Sequence, residues 1–174
     1  MGHFFYPWHF LLLFCLSISL AVLTRMHPSN DLNASFALFG ALHASALVFS
    51  LRARQSVWRN CVFVAAAAGL CVITLRIGMF GTHLFGALPA SLGLYGALGF
   101  SAVTGALIYG VLIGRLLVVP AMTLRPLAVI SLSCLLAAFA ALFTGSHFHF
   151  LGPWWLAVLW WHAFSGGLWY FDRR

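Results

Sequence analysis

The chain contains neither lysine nor glutamate in its 174 residues. Its nine basic residues are all arginine, and its two acids are Asp31 and Asp172. Charged residues make up 6% of the chain, where a soluble domain carries roughly 25%. No carboxylate falls inside an apolar run, so coupling to protons or sodium through a buried acid has no residue to work with. A phosphate-binding GxxxxGK[ST] loop, an HExxH pair and a GxSxG elbow are all missing. Hydrolytic chemistry would have to draw its acid or base from histidine. The four cysteines, Cys15, Cys61, Cys71 and Cys134, lie singly inside apolar runs. That spacing argues against a disulfide framework or a zinc site and for small buried hydrophobes.

What fills the chain is apolar side chain. Hydrophobic residues make up 63%, and the mean hydropathy is +1.02. A small domain has too much surface for its volume to hide that fraction from water. The solvent for most of the molecule is therefore expected to be a lipid bilayer. The formal charge of +7 does not point to nucleic acid. The arginines sit at the ends of apolar runs, as in membrane proteins, and do not form a basic patch interleaved with polar groups.

The runs are long enough for helices and lack the alternation of a lipid-facing barrel strand. The fold class expected is an all-α, polytopic transmembrane bundle forming one membrane domain over 1–174. About six spans are expected, near 8–24, 34–51, 61–79, 93–117, 127–144 and 153–171. The first reads as an uncleaved span, because no basic residue precedes it and no small-x-small cleavage site follows it. Residues 80–119 are too long for one crossing, since forty helical residues reach roughly 60 Å against a hydrocarbon core of about 30 Å. Gly81, Gly86 and Pro89 break the early part, so residues 81–91 are expected to form an interfacial or re-entrant segment before span four. With six spans, seven arginines share the side of both termini and two, Arg25 and Arg76, fall opposite. The positive-inside rule then places both termini in the cytoplasm of a bacterial inner membrane.

Span four carries two rows of small residues at helical spacing. Ala102, Ala106, Gly110 and Gly114 form one row, and Gly93, Ala97, Ser101 and Gly105 the other. Such rows let helix backbones approach closely in lipid. They serve either packing inside the chain or contact with a partner membrane subunit or a second copy.

His43 and His162 fall at the middle of spans two and six, at similar depth. Ionisable groups at that depth face a bundle interior or a cavity. The pair can be structural, can line a polar path, can relay a proton, or can ligate haem b, with His9 and His149 completing a larger set. Trp161, beside His162, is a candidate pocket wall. The tryptophans and Tyr170 at the edges of span six suit membrane interfaces. Arg76, near the outer end of span three, either snorkels to the interface or binds an anionic head group. His83, His147 and His149 share the outer side with His27 and form a candidate transition-metal site.

Three functional classes follow. The first is a permease, channel or integral subunit of a larger membrane complex. The second is a haem-b electron-transfer protein using the mid-membrane histidines. The third is a histidine- and metal-dependent membrane enzyme with its site on the outer face.

Overall fold

The structure is a computed structural model of the chain. It describes residues 15–16, 18–19, 32–50, 55–117, 123–144 and 154–172. Among these, all regular structure is helical. Five long helices follow one another: α1 (Leu32–Ser50), α2 (Val57–Leu84), α3 (Ala90–Leu116), α4 (Leu124–Thr144) and α5 (Trp154–Asp172). They correspond to the expected spans two to six. The expected first span lies outside the described residues except at 15–16 and 18–19, which are helical; Ile18 packs against the core.

Local chemistry sets the helix ends. Ser56, in extended conformation, accepts a hydrogen bond from the Arg59 amide at 3.3 Å and so caps α2. At the far end, the Phe85 amide donates to the Gly81 carbonyl at 2.9 Å and the Leu88 amide to the Phe85 carbonyl at 3.0 Å. Pro89 then starts α3, where its lack of an amide proton costs nothing. This handover replaces the separate segment expected over 81–91. Residues 81–84 are the last of α2 and residues 85–89 form the turn. Glycine alone does not end a helix whose other residues favour it, so α2 runs 28 residues rather than stopping near Met79.

Among the described residues, four stretches are long and apolar enough to cross a membrane: Leu32–Phe49, Val57–Leu84, Leu92–Leu116 and Leu124–Thr144. α5, with 19 residues, five tryptophans, His162 and two adjacent glycines, is not among the four. Bulky apolar side chains cover the outside. Leu124 is 84% exposed, Phe49 75% and Phe143 72%. Water would not tolerate such a surface on a monomer, and hydrocarbon does.

Consecutive helices pack side by side, and α5 returns against α1 and α3 through His43–Ser165 and Trp160–Ala102 contacts. Half of Leu92–Leu116 is buried against 17% of Val57–Leu84, which makes α3 the central helix. Its two small-residue rows are the reason. Along one row, Ala97 lies against Gly81, and Ser101 donates to the Thr74 carbonyl at 2.8 Å, seating α2. Along the other, Ala102 and Ala106 are buried and the Ala102 carbonyl accepts from Trp160 Nε1 at 3.1 Å, seating α5. Gly110 is buried and Gly114 half-buried farther along. Ala97, Ser101, Ala102 and Ala106 are thus covered by the chain's own helices. Close approach is tightest where a Cβ on Gly40 would sit 2.7 Å from the Ala67 carbonyl, and one on Gly167 would sit 2.6 Å from Ile130. Only glycine fits between those helices.

Short connections make neighbours antiparallel, so three of the four described arginines gather at one end, while Arg76 lies toward the other. Arg59 starts α2, Arg115 ends α3 and Arg125 starts α4, all exposed. The 85–89 turn marks the opposite end.

Candidate functional site

His43 sits at the middle of α1, 4% exposed. Its Nδ1 lies 3.3 Å from the Tyr109 hydroxyl of α3, and its Nε2 lies 3.2 Å from Ser165 Oγ of α5. A neutral imidazole has one donor and one acceptor, and each hydroxyl can play either part, so both tautomers are satisfied. The ring stacks on Trp161 with centroids 3.7 Å apart and planes 24° from parallel. Tyr109, fully buried, meets Trp161 edge-on at 4.8 Å and Phe164 at 4.9 Å. Phe63 of α2 completes the layer at 5.6 Å from Tyr109. Four helices therefore meet at one aromatic and polar knot. Each such hydrogen bond in a membrane contributes about 0.6–1.7 kcal/mol, and each aromatic pair about 0.5–1.5 kcal/mol beyond burial.

Above the knot, toward the 85–89 turn, lies a cleft of about 280 Å³ between α1, α2, α3 and α5. It descends α2 from Thr82 to Leu70, about 18 Å at about 1.5 Å per residue. Its walls are more open near the turn, where Met79 is 50% exposed, and shut at the bottom, where Phe39 is 2% and Trp161 4% exposed. The lining is apolar, and no charged residue contributes to it. Its Ser101 hydroxyl is turned to the Thr74 carbonyl, and its Thr82 hydroxyl to the Met79 carbonyl at 2.6 Å. Trp160 and Trp161 form the floor. Trp161 is thus shared: one side belongs to the cleft and the other to the stack on His43.

The residues singled out from sequence separate on this frame. His43 enters the knot and Trp161 links it to the cleft. His162, one residue along, is half-buried and donates from Nδ1 to the Val158 carbonyl of its own helix at 2.6 Å. A carbonyl only accepts, so that nitrogen carries the proton. The same tautomer leaves His162 Nε2 without a proton, which is the form of imidazole that an axial ligand requires. Both nitrogens of His43 face hydroxyls and one face of its ring is covered by Trp161, so this packing does not present it to a haem b. Arg76 is exposed on α2, flanking the cleft rather than lining it. His83 is exposed at the end of α2, while His147 and His149 lie outside the described residues. Among the described residues no group of three histidine, cysteine or acidic side chains is placed to hold a transition metal.

Sequence reasoning missed Tyr109 and Ser165 as partners of His43, and it missed the cleft. A hydroxyl inside an apolar helix was the available signal for both partners. The cleft had none, because its walls carry the same residue types as a lipid-facing surface. No family model, no curated protein and no solved structure matches the chain.

Proposed function

We propose that this chain is an integral membrane protein that binds one small apolar guest in the cleft between α1, α2, α3 and α5. The observation that carries the reading is a cavity of about 280 Å³ with apolar walls and a buried floor between α1, α2, α3 and α5. Ligand pockets run roughly 300–1,000 Å³, so the guest is at the small end, one chain or one ring system rather than a diacyl lipid. Arg59, Arg115 and Arg125 at the opposite end, under the positive-inside rule, favour a cleft mouth that faces away from the cytoplasm. Guest molecules would enter from the hydrocarbon and leave the same way. Within a larger assembly, such a chain serves as a lipid-handling subunit or as one gate of a permease for apolar solutes. A channel fits less well, since ions need a polar path and the aromatic knot interrupts one.

The test is extraction and mass spectrometry of small molecules held by the full chain after purification in a neutral detergent. A stoichiometric apolar species is expected, and Gly78→Leu, which fills the cleft, is expected to remove it. A guest-free protein, or one retaining its guest after Gly78→Leu, would overturn the proposal.

A further inference from the structure

We infer that the guest is a neutral carbonyl compound that sets its oxygen at the bottom of the cleft, against the Trp161 indole N–H and the Thr74 hydroxyl, with its hydrocarbon toward the mouth. This rests on the cleft reading above and adds to it the chemical class of the guest and the two side chains that select it.

Most donors in the lining are already engaged. Ser101 donates to the Thr74 carbonyl at 2.8 Å, Thr82 to the Met79 carbonyl at 2.6 Å and Trp160 Nε1 to the Ala102 carbonyl at 3.1 Å. The Cys71 sulfur lies against α1, 2.7 Å from where a Cβ on Gly40 would sit, and a thiol is a weak donor. Among the described residues, the Trp161 indole N–H and the Thr74 hydroxyl of the lining remain without a hydrogen-bond partner. Trp161 is buried, and a buried indole N–H nearly always meets an acceptor, the more so in hydrocarbon where no water replaces one. The two groups belong to one level of the cleft. Thr74 and Trp160 converge on Gly105 of α3, where a Cβ would sit 3.2 Å from the Thr74 hydroxyl and 3.4 Å from Trp160 Cζ2, and Trp161 meets Trp160 edge-on at 4.6 Å.

Two donors select an acceptor. A carbonyl oxygen has two lone pairs and takes both. An alcohol brings a proton of its own, so one donor would still lack an acceptor. A carboxylate would also take both, but no charged residue lines the cleft to balance it, and a buried uncompensated charge costs far more than two hydrogen bonds return. Above Thr74 the walls are Leu75, Met79, Leu94, Leu98 and Leu156, over about 12 Å up to Thr82 at about 1.5 Å per residue, which suits hydrocarbon. Phe39 and Trp161 shut the floor, so the carbonyl stands near one end of the guest, as in an aldehyde or a methyl ketone.

The probes are methyl nonyl ketone, undecane and undecanoate, which have the same number of carbons. Each competes with an alkyl-diazirine label for the full chain in phosphatidylcholine nanodiscs, at a pH that ionises the carboxylate. The ketone carries an isotope-labelled carbonyl, whose infrared band falls in frequency when it accepts a hydrogen bond. The ketone is expected to compete at lower concentration than the other two, with its band shifted down. Thr74→Val keeps the side-chain shape and removes the donor. It should weaken the ketone about two- to tenfold, move the band back toward its position in empty nanodiscs and leave undecane within about twofold, while Thr74→Ser keeps the ketone near wild type. Size-exclusion profiles show whether the variants fold, and the band in the wild-type chain decides if they do not. Equal competition by ketone and alkane with an unshifted band, undecanoate competing better than the ketone, or a folded Thr74→Val without effect on either readout would overturn the carbonyl inference and leave the cleft standing. Absence of competition by every probe would overturn both.

Discussion

Below the level of Trp161, His43, Tyr109, Phe63 and Phe164 interlock across four helices, each at most 4% exposed. Above it, the same four helices part around about 280 Å³ of apolar space. In the knot polar side chains meet one another, whereas the Ser101 and Thr82 hydroxyls of the cleft are turned to backbone carbonyls. In a bilayer this arrangement follows from the solvent. Polar groups at mid-membrane must satisfy one another, which requires close packing, whereas apolar walls can stand apart because lipid or a lipid-like guest fills the gap. Similar substitutions should therefore act differently in the two halves.

The largest effect is expected in the knot. His43→Ala removes a stacked ring and leaves the Tyr109 and Ser165 hydroxyls without it, a loss of about 3 kcal/mol. Unfolding in mixed micelles with increasing dodecyl sulfate measures it, and a loss below ~1 kcal/mol would mean the knot is incidental. Next comes the glycine comparison. Gly40→Leu drives a side chain into Ala67 and Cys71 from 2.7 Å and should destabilise by about 2 kcal/mol in the same assay. Trp160→Phe keeps an aromatic side chain but drops the bond to Ala102, for about 1 kcal/mol. The smallest stability effect belongs to Gly78→Leu in the cleft. A Cβ there meets Ser101 Oγ at 3.4 Å, an ordinary contact, and leucine favours helix over glycine by under ~1 kcal/mol. Its stability should hold or rise slightly while the guest is lost. If Gly40→Leu and Gly78→Leu destabilise equally, the distinction between the halves fails.

The helical, lipid-solvated architecture was legible because apolar length and the near absence of charge leave few alternatives. His43 was legible for the same reason: an imidazole in the middle of Leu32–Ser50 needs partners. Which partners was not legible. Tyr109 lies 66 residues away and Ser165 122, and nothing local marks them. His162 has the same sequence credentials as His43, yet its Nδ1 turns to Val158 on its own helix. The difference is a rotation of about 100° between neighbouring residues, which puts Trp161 rather than His162 on His43. The small-residue rows of α3 announced close packing, while only the fold shows that α2 and α5 occupy them. The re-entrant segment failed because Gly81 and Gly86 were read as breaks, although Gly81 lies within α2 and packs on Ala97.

The central claim is that an apolar guest occupies the upper cleft and not merely the outer surface. The most direct measurement is photocrosslinking of the full chain in nanodiscs with an alkyl-diazirine probe, followed by mapping of adducts. Adducts concentrated on Phe36, Leu98 and Leu156, displaced by excess unlabelled guest and absent from Gly78→Leu, are the predicted result. Adducts spread over the exposed Phe49, Leu136 and Phe143, indifferent to competitor, would contradict it.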